Sequence, residues 1–286
     1  MKNKITLTIG VPAFNEEQNI ELLLRSILEQ KLVNFVLEKI LVNSDDSTDK
    51  TNDIVKKLAK DHKVISLIEN KSRKGKYFRV NELFQKNKSE VIIILDADIA
   101  LVGDQFCETL ACALVSDPKA QMMVAHNVLI RPQGFIAKVL HTHFMLMDYI
   151  RLSAPNFQTA DNFYGSATAY RGDFARSLHI PTNLLDPHFY IYLSAKKVDG
   201  FRYCLNAKIL QYPPGTIKDL KKLLNRTIGK RDKELEKKFG IELIDQAHYM
   251  TTKAKIKGTI KCFFWQPFYT PLAILLSIYI GRFMKL

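Results

Sequence analysis

Short apolar runs alternate with amphipathic stretches through the first hundred residues. Residues 5–12, 37–42, 64–68 and 91–95 read as strands, bounded by polar and turn-forming positions. Between the first two, Ile20, Leu23, Leu24, Ile27 and Leu28 fall on one face at helical spacing. A helix is expected from about Glu16, with Asn15 and Gln18 as a capping pair three residues apart. Ile54, Val55, Leu58 and Ala59 mark a second helix after Asp49, and Val80, Leu83 and Phe84 a third after Lys76. Strand-helix units in this rhythm feed a mostly parallel sheet, so the fold class is α/β.

From 111 to 212 the pattern is less regular and richer in aromatics. No Pro/Gly/Ser-rich seam divides it, so residues 1–215 are expected to form one catalytic domain. Beyond Pro213 and Pro214 the composition shifts: Ile217, Leu220, Leu224 and Ile228 line one face of a Lys/Arg-rich helix that continues through Lys238. Residues 216–286 therefore read as a basic helical extension ending in an apolar tail.

Composition narrows the class. Across 286 residues, 47% hydrophobic content supplies a large core, and 12 Gly and 10 Pro exclude collagen-like and low-complexity chains. The net charge of +13 points to an anionic partner without choosing among nucleotide, lipid phosphate and nucleic acid. Nucleic acid ranks last, because the basic residues are not interleaved with a stacking platform. The four cysteines, Cys107, Cys112, Cys204 and Cys262, form no C-x-x-C pair and read as free thiols. Neither G-x-G-x-x-G nor the P-loop pattern occurs, and His126, His141 and His143 sit in apolar or aromatic contexts that suit structural histidines.

The informative polar residues fall at strand ends. Positions 12–15, 43–49, 69–76 and 96–98 follow the four strands, and in an open parallel sheet such ends share one edge, where ligands bind. Asp96 and Asp98 end a fully apolar run, and carboxylates suit Mg²⁺ or Mn²⁺ shared with substrate phosphates. Asp45 is a candidate acceptor for a nucleobase or ribose, and Lys74, Lys76 and Arg79 offer positive charge to phosphate.

Taken in order, Val11-Pro-Ala-Phe-Asn-Glu-Glu17, Val42-Asn-Ser-Asp-Asp-Ser-Thr-Asp49 with Thr51, the stretch from Lys74-Gly-Lys76 to Asn81, and Leu95-Asp-Ala-Asp98 resemble a family 2 glycosyltransferase of the GT-A fold. Gly165-Ser-Ala-Thr-Ala-Tyr-Arg171 resembles the acceptor-side segment that follows in many members. The resemblance implies a nonprocessive, inverting transfer of a sugar from a uridine or guanosine diphosphate sugar to a hydroxyl or lipid-linked acceptor. It places Pro12, Asn15, Glu17, Asp45, Lys76, Asn81, Asp96 and Arg226 around the nucleotide sugar, and Asp98 on the divalent metal.

Two departures from the family pattern matter. The Glu-Asp pair that carries the acceptor base sits about eleven residues before a Gly matched by Gly200, a spacing that lands on Phe189; Asp186, with His188 as the second candidate, is expected to take that role. The Gln-x-x-Arg-Trp motif of processive members is matched only at Arg226, with Leu223 and Thr227 in the flanking places. The displaced base motivates an alternative: a catalytically silent GT-A-like protein that binds nucleotide or membrane and serves in assembly.

Lys253, Lys255, Lys257 and Lys261 precede Phe263, Phe264, Trp265, Phe268 and Tyr269, and then the aliphatic run 272–280. Basic residues followed by aromatics suit contact with the cytoplasmic face of a membrane, spanning or interfacial. Residues 262–281 carry no charge before Arg282, but Pro267 and Pro271 interrupt a straight span.

Overall fold

The computed structural model describes residues 4–153, 159–160, 163, 165–184, 186–227, 233–247 and 250–283, with the side chains at 224–227, 233 and 281–283 outside that description. It divides into two compact units that interleave along the chain. The first comprises Met1–Asn127, Tyr164–Asn183 and Tyr190–Leu210, and the second Val128–Phe163, Leu184–Phe189 and Gln211–Leu286.

The first unit is built on an eight-stranded sheet. Its parallel half is β1 (Ile5–Ala13), β2 (Phe35–Ser44), β3 (Ile65–Glu69) and β4 (Val91–Leu95), with β1 central between β2 and β4. β5 (Ala100–Leu101), β6 (Met122–Leu129), β7 (Ala167–Arg171) and β8 (Phe201–Gln211) complete the order β3-β2-β1-β4-β7-β6-β8-β5. β7 runs antiparallel to β4 and β6, and β5 antiparallel to β8, so the sheet is mixed. The expected α/β class holds, and the irregular stretch after 111 is what supplies the antiparallel half.

The helices α1 (Ile20–Leu28), α2 (Thr51–Asp61), α3 (Lys76–Lys86), α4 (Phe106–Ser116) and α6 (Gly172–Ser177) cover the sheet, while α7 (Pro187–Lys196) crosses the boundary between the units. Leu7, Ile9 and Val11 of β1, Ile40 and Val42 of β2 and Val91, Ile93 and Leu95 of β4 are buried in one core with residues of α1, α2 and α4. α1 begins at Ile20, four residues later than expected. Asn15 adopts a left-handed φ of 54° and uses its side chain elsewhere, so the expected Asn15–Gln18 cap does not form, and Asn19 occupies the cap position, its side chain donating to Glu16 and not capping the helix. Asn tolerates that conformation better than most residues.

The second unit is helical: α5 (Phe135–Leu152), α8 (Ile217–Thr227), α9 (Lys233–Phe239), α10 (Ile241–Ala247), α11 (Thr252–Trp265) and α12 (Thr270–Phe283). Its last segment begins close to the expected boundary at 216, but the unit also draws in α5 from mid-chain. The single basic helix expected through Lys238 is represented by α8 and α9, with the intervening residues outside the description. The apolar tail folds as two helices, because Pro267 and Pro271 lie in and just after the turn that joins them. Among the described residues no helix is long and apolar enough to cross a membrane.

α11 crosses α5 at close range: a Cβ on Gly258 would come within 2.5 Å of the Ile150 backbone. Cys262 is buried beside it, and Trp265 packs between His141 and Tyr149 of α5. Leu140, Leu220 and Ile280 join α5, α8 and α12 in a small apolar cluster.

Candidate active site

Parallel pairing brings the strand ends level. Gly10 of β1 pairs with Ile94 of β4, and Ala13 pairs with Ser44 of β2, so the residues that follow these strands emerge along one edge. There they line a cavity of about 250 Å³. Its walls are Pro12, Ala13, Phe14 and Glu16 after β1, Asp45 after β2, Arg73, Gly75, Lys76 and Arg79 at the start of α3, and Asp96, Ala97 and Asp98 after β4.

Asp45 organises one side. Its Oδ1 accepts from the Lys74 amide at 2.8 Å and from Arg79 Nε at 2.7 Å, and its Oδ2 accepts from the Gly75 amide at 2.7 Å. Burial pushes this carboxyl up, but the Lys74 amide, Arg79 and the Gly75 amide outweigh it and hold it below the usual carboxylate range. Gly75 has a φ of 92°, a conformation that only glycine adopts cheaply, and this lets two successive amides point at one carboxylate. Arg79 is 2% exposed and also donates to Glu82 Oε2 at 2.9 Å and to the Ser72 carbonyl. Its charge is thus shared with Asp45 and Glu82 at the cavity wall, where it was expected to offer charge to phosphate. Lys74 is turned onto the Phe78 ring, 4.4 Å from its centroid.

On the other side, Lys76 Nζ lies 2.5 Å from Asp96 Oδ1 and 2.8 Å from its Oδ2, and the Asp96 amide donates to the Ser166 carbonyl. Burial pushes the Asp96 carboxyl up; Lys76 pulls against that, while the like charge of Asp98 adds to the rise. Asp98 itself is exposed at the rim. Glu16 is raised by burial, against a hydrogen bond from Asn19, and by the charges of Asp98, Asp96 and Asp49. Negative potential therefore concentrates at this rim, as a cation site requires.

Among the described residues no group of three or more His, Cys, Asp or Glu is set to hold a metal by protein ligands alone. Asp96 and Asp98 nonetheless fit Mg²⁺ or Mn²⁺. These hard cations take one or two carboxylates and complete their shell with waters and substrate phosphates. In the lining of the same cavity, the Arg73 guanidinium lies 3.8 Å from the Phe14 ring centroid and forms a flat, cationic surface.

Of the residues expected around a nucleotide sugar, Pro12, Asp45, Lys76, Asp96 and Asp98 meet at this cavity. Three others do not line it. Asn15 Oδ1 accepts from the Thr48 amide at 2.8 Å, and Glu17 Oε2 accepts from the Lys50 amide at 3.1 Å, so both fasten the loop after β1 to the loop after β2. Asn81 clamps Ile180, donating to its carbonyl at 2.7 Å and accepting from its amide at 3.0 Å. Phe14, Glu16 and Arg73 were not singled out. Phe14 and Glu16 lie inside the quoted segment, but Arg73 sits among lysines that read as solvated.

Asp186, His188 and Arg226 belong to the second unit. Asp186 Oδ1 accepts from the Phe189 amide at 3.1 Å and so caps α7, with Pro187 in the first helical position. His188 Nδ1 lies 3.8 Å from the same oxygen, and its ring meets the edge of Phe163. Arg226 falls within α8, and its side chain lies outside the description.

A sequence model described as glycosyl transferase family 2 matches residues 8–178. A dolichyl-phosphate beta-glucosyltransferase of Trichomonas vaginalis is 29% identical over 158 residues, 50% of this chain and 48% of that protein. A probable glycosyltransferase of Bacillus subtilis is 30% identical over 153 residues, covering 52% of this chain and 35% of its own length. The chain thus spans half or less of the curated relatives it matches. Among solved structures, a mannosyltransferase from Pyrobaculum calidifontis, determined with GDP-Man and Mn²⁺, superposes with a TM-score of 0.60 at 16% identity, over 99% of this chain and 82% of that one. Glucosyl-3-phosphoglycerate synthase from Mycobacterium tuberculosis, determined with Mn²⁺, UDP and glucosyl-3-phosphoglycerate, gives a TM-score of 0.51 at 16% identity over 78% and 80% of the two chains. At such identity these two likenesses establish the fold.

Proposed function

The chain belongs to glycosyl transferase family 2, and on that premise we propose that it moves a sugar from a nucleoside diphosphate sugar to a hydroxyl or lipid-linked acceptor, with inversion and without processive elongation. The observation that carries this reading is the cavity at the ends of β1, β2 and β4, whose lining combines a stacked arginine and phenylalanine with two adjacent carboxylates. That combination of chemistry suits a nucleotide: a planar base and ribose for the first, a diphosphate for the second.

In this reading Phe14 and Arg73 flank the base, while Asp45 holds the loop 72–75 in place and presents its remaining acceptor capacity inward. Asp98, with Asp96 beside it, would hold a divalent cation. When bound, that cation neutralises the charge that develops on the leaving diphosphate. Lys76 pulls the Asp96 carboxyl down, against the burial and the like charge of Asp98 that raise it. Asp186 is proposed to accept the proton of the attacking hydroxyl, with His188 as the second candidate. The attacking hydroxyl then forms its bond to the anomeric carbon as the bond to the diphosphate breaks, a single displacement that inverts that centre, as the family resemblance implies. Nonprocessive action is supported by the departure at Leu223 and Thr227 from the motif of processive members. The likeness to proteins solved with Mn²⁺ and with GDP- or UDP-linked ligands supports a nucleotide-sugar donor.

The test is a thermal-shift panel of nucleotide sugars with and without Mn²⁺. One donor is expected to stabilise the chain in a metal-dependent way, and Asp98→Asn is expected to abolish the metal dependence while leaving the unliganded melt in place. A flat response to every donor would overturn the reading. Binding without turnover for every donor and acceptor would instead favour a silent assembly role.

A further inference from the structure

α11 is apolar on two opposite faces, and only one is covered. Ala254, Gly258 and Cys262 share the face turned to α5 and are buried. At 3.6 residues per turn, Ile256, Ile260, Phe263 and Phe264 share the opposite face, and all four are exposed, Phe264 at 84%. Lys257 and Lys261 run along one flank of this stripe and Lys255 along the other, while Lys253 stands at its N-terminal end, all exposed. The stripe continues across the turn through Phe268, 69% exposed, and onto α12 through Leu275, Ile278 and Tyr279. Folding leaves this surface uncovered even though the rest of α11 and α12 is packed on α5.

We propose that this face of α11 and α12 seats on an anionic lipid bilayer, lying in the headgroup layer and not crossing it. Three observations select that occupant. The order from the helix flanks inward is lysine then aliphatic or aromatic side chain, the distribution of a helix lying in a bilayer interface, with its cations level with lipid phosphates. Second, each helix is 14 residues long, about 21 Å at 1.5 Å per residue, which is too short for a hydrocarbon core of roughly 30 Å. Third, the flanking lysines and the net charge of +13 oppose a second copy of the chain on the same face.

The inference extends the lipid-linked side of the reading above and rests on it for its biological sense. Its test, however, uses neither donor nor acceptor, so either can fail alone. Trp265 is the single tryptophan; it ends α11 on the face packed on α5 and is 43% exposed, so its exposed edge, beside Phe264 in the chain, reports lipid drawn against the end of the helix. The full chain is mixed with phosphatidylcholine vesicles with and without phosphatidylglycerol. Anionic vesicles are expected to shift Trp265 emission to the blue, and brominated lipid to quench it. Lys257→Gln with Lys261→Gln should weaken anionic binding roughly thirtyfold, and Phe264→Ser with Phe268→Ser should abolish the shift while leaving the thermal melt and any donor response unchanged. Emission indifferent to both vesicle types in a folded chain would overturn the proposal. So would a concentration-dependent dimer dispersed by Phe264→Ser, which would assign the face to a second copy.

Discussion

Asp45 and Arg79 form the most consequential residue pair. Both are buried; Arg79 is the charge partner of Asp45, and is itself held by Glu82 first and Asp45 second. Asp45→Asn removes the charge but keeps the shape, leaving Arg79 inside with Glu82 alone. A loss of about 2 kcal/mol is expected, the scale of a hydrogen bond to a charged group, because Arg79 keeps Glu82 and loses its bond to the Asp45 carboxylate. The pH sign follows from the direction of the shift. Because folding lowers the Asp45 pKa, its contribution is present above the ordinary carboxylate range and fades as pH falls through the folded value. The wild-type chain should therefore lose stability on acidification more steeply than Asp45→Asn, as urea titrations at descending pH would report. Lys76 gives a second prediction. It lowers the Asp96 pKa, so Lys76→Met should raise it and move the acidic limb of metal-dependent donor stabilisation to higher pH. An unmoved limb would separate Asp96 from metal binding. Asp96 and Asp98 were legible in the sequence because two carboxylates end a fully apolar run. Arg79 was not, because its partner lies 34 residues away and a lysine- and arginine-rich helix start resembles any solvated one.

At the scale of elements, what the pattern revealed depended on whether local spacing or long-range bonding set the boundary. β4 fell where the apolar run placed it, since burial on both faces leaves no other reading. The start of α1 moved because Thr48, far along the chain, captures the Asn15 side chain. α5 and its partners were hardest to read: apolar residues on both faces of α11 blur the period that marks an amphipathic helix. Their joint carries its own prediction. His143 of α5 lies 2.9 Å from the Ser277 hydroxyl of α12, and burial depresses its pKa to about 4. The imidazole is thus neutral in the fold but takes a proton when unfolded, from its ordinary 6.5 downward. Stability is full above that range and falls as pH drops toward 4, by about 3 kcal/mol in all. Melts followed by Trp265 emission should show this slope, and His143→Gln should flatten it. Gly258→Ala probes the same joint: with its Cβ 2.5 Å from the Ile150 backbone, it should cost about 1–3 kcal/mol.

The whole molecule raises a question that composition alone answered differently. A shift at 213–216 marks a change in surface character from mixed to basic, and that is a poor guide to which elements share a core. The second unit takes α5 from the middle of the chain and covers it with helices from the end. We expect a chain cut after 215 to lose those covers while keeping the helix they shield. Leu140, His141, His143 and Leu146, all buried in the full chain, would be deprived of the α8, α11 and α12 side chains that pack on α5. An apolar helix left bare in this way favours self-association. The truncated chain should therefore bind a hydrophobic dye more strongly than the full chain and sediment as aggregate, whereas the full chain should stay dispersed in the absence of lipid. If 1–215 instead stays monomeric and melts cooperatively, α5 must be able to bury its apolar face without α8, α11 and α12, and the second unit would be a dispensable cover, not a folding unit.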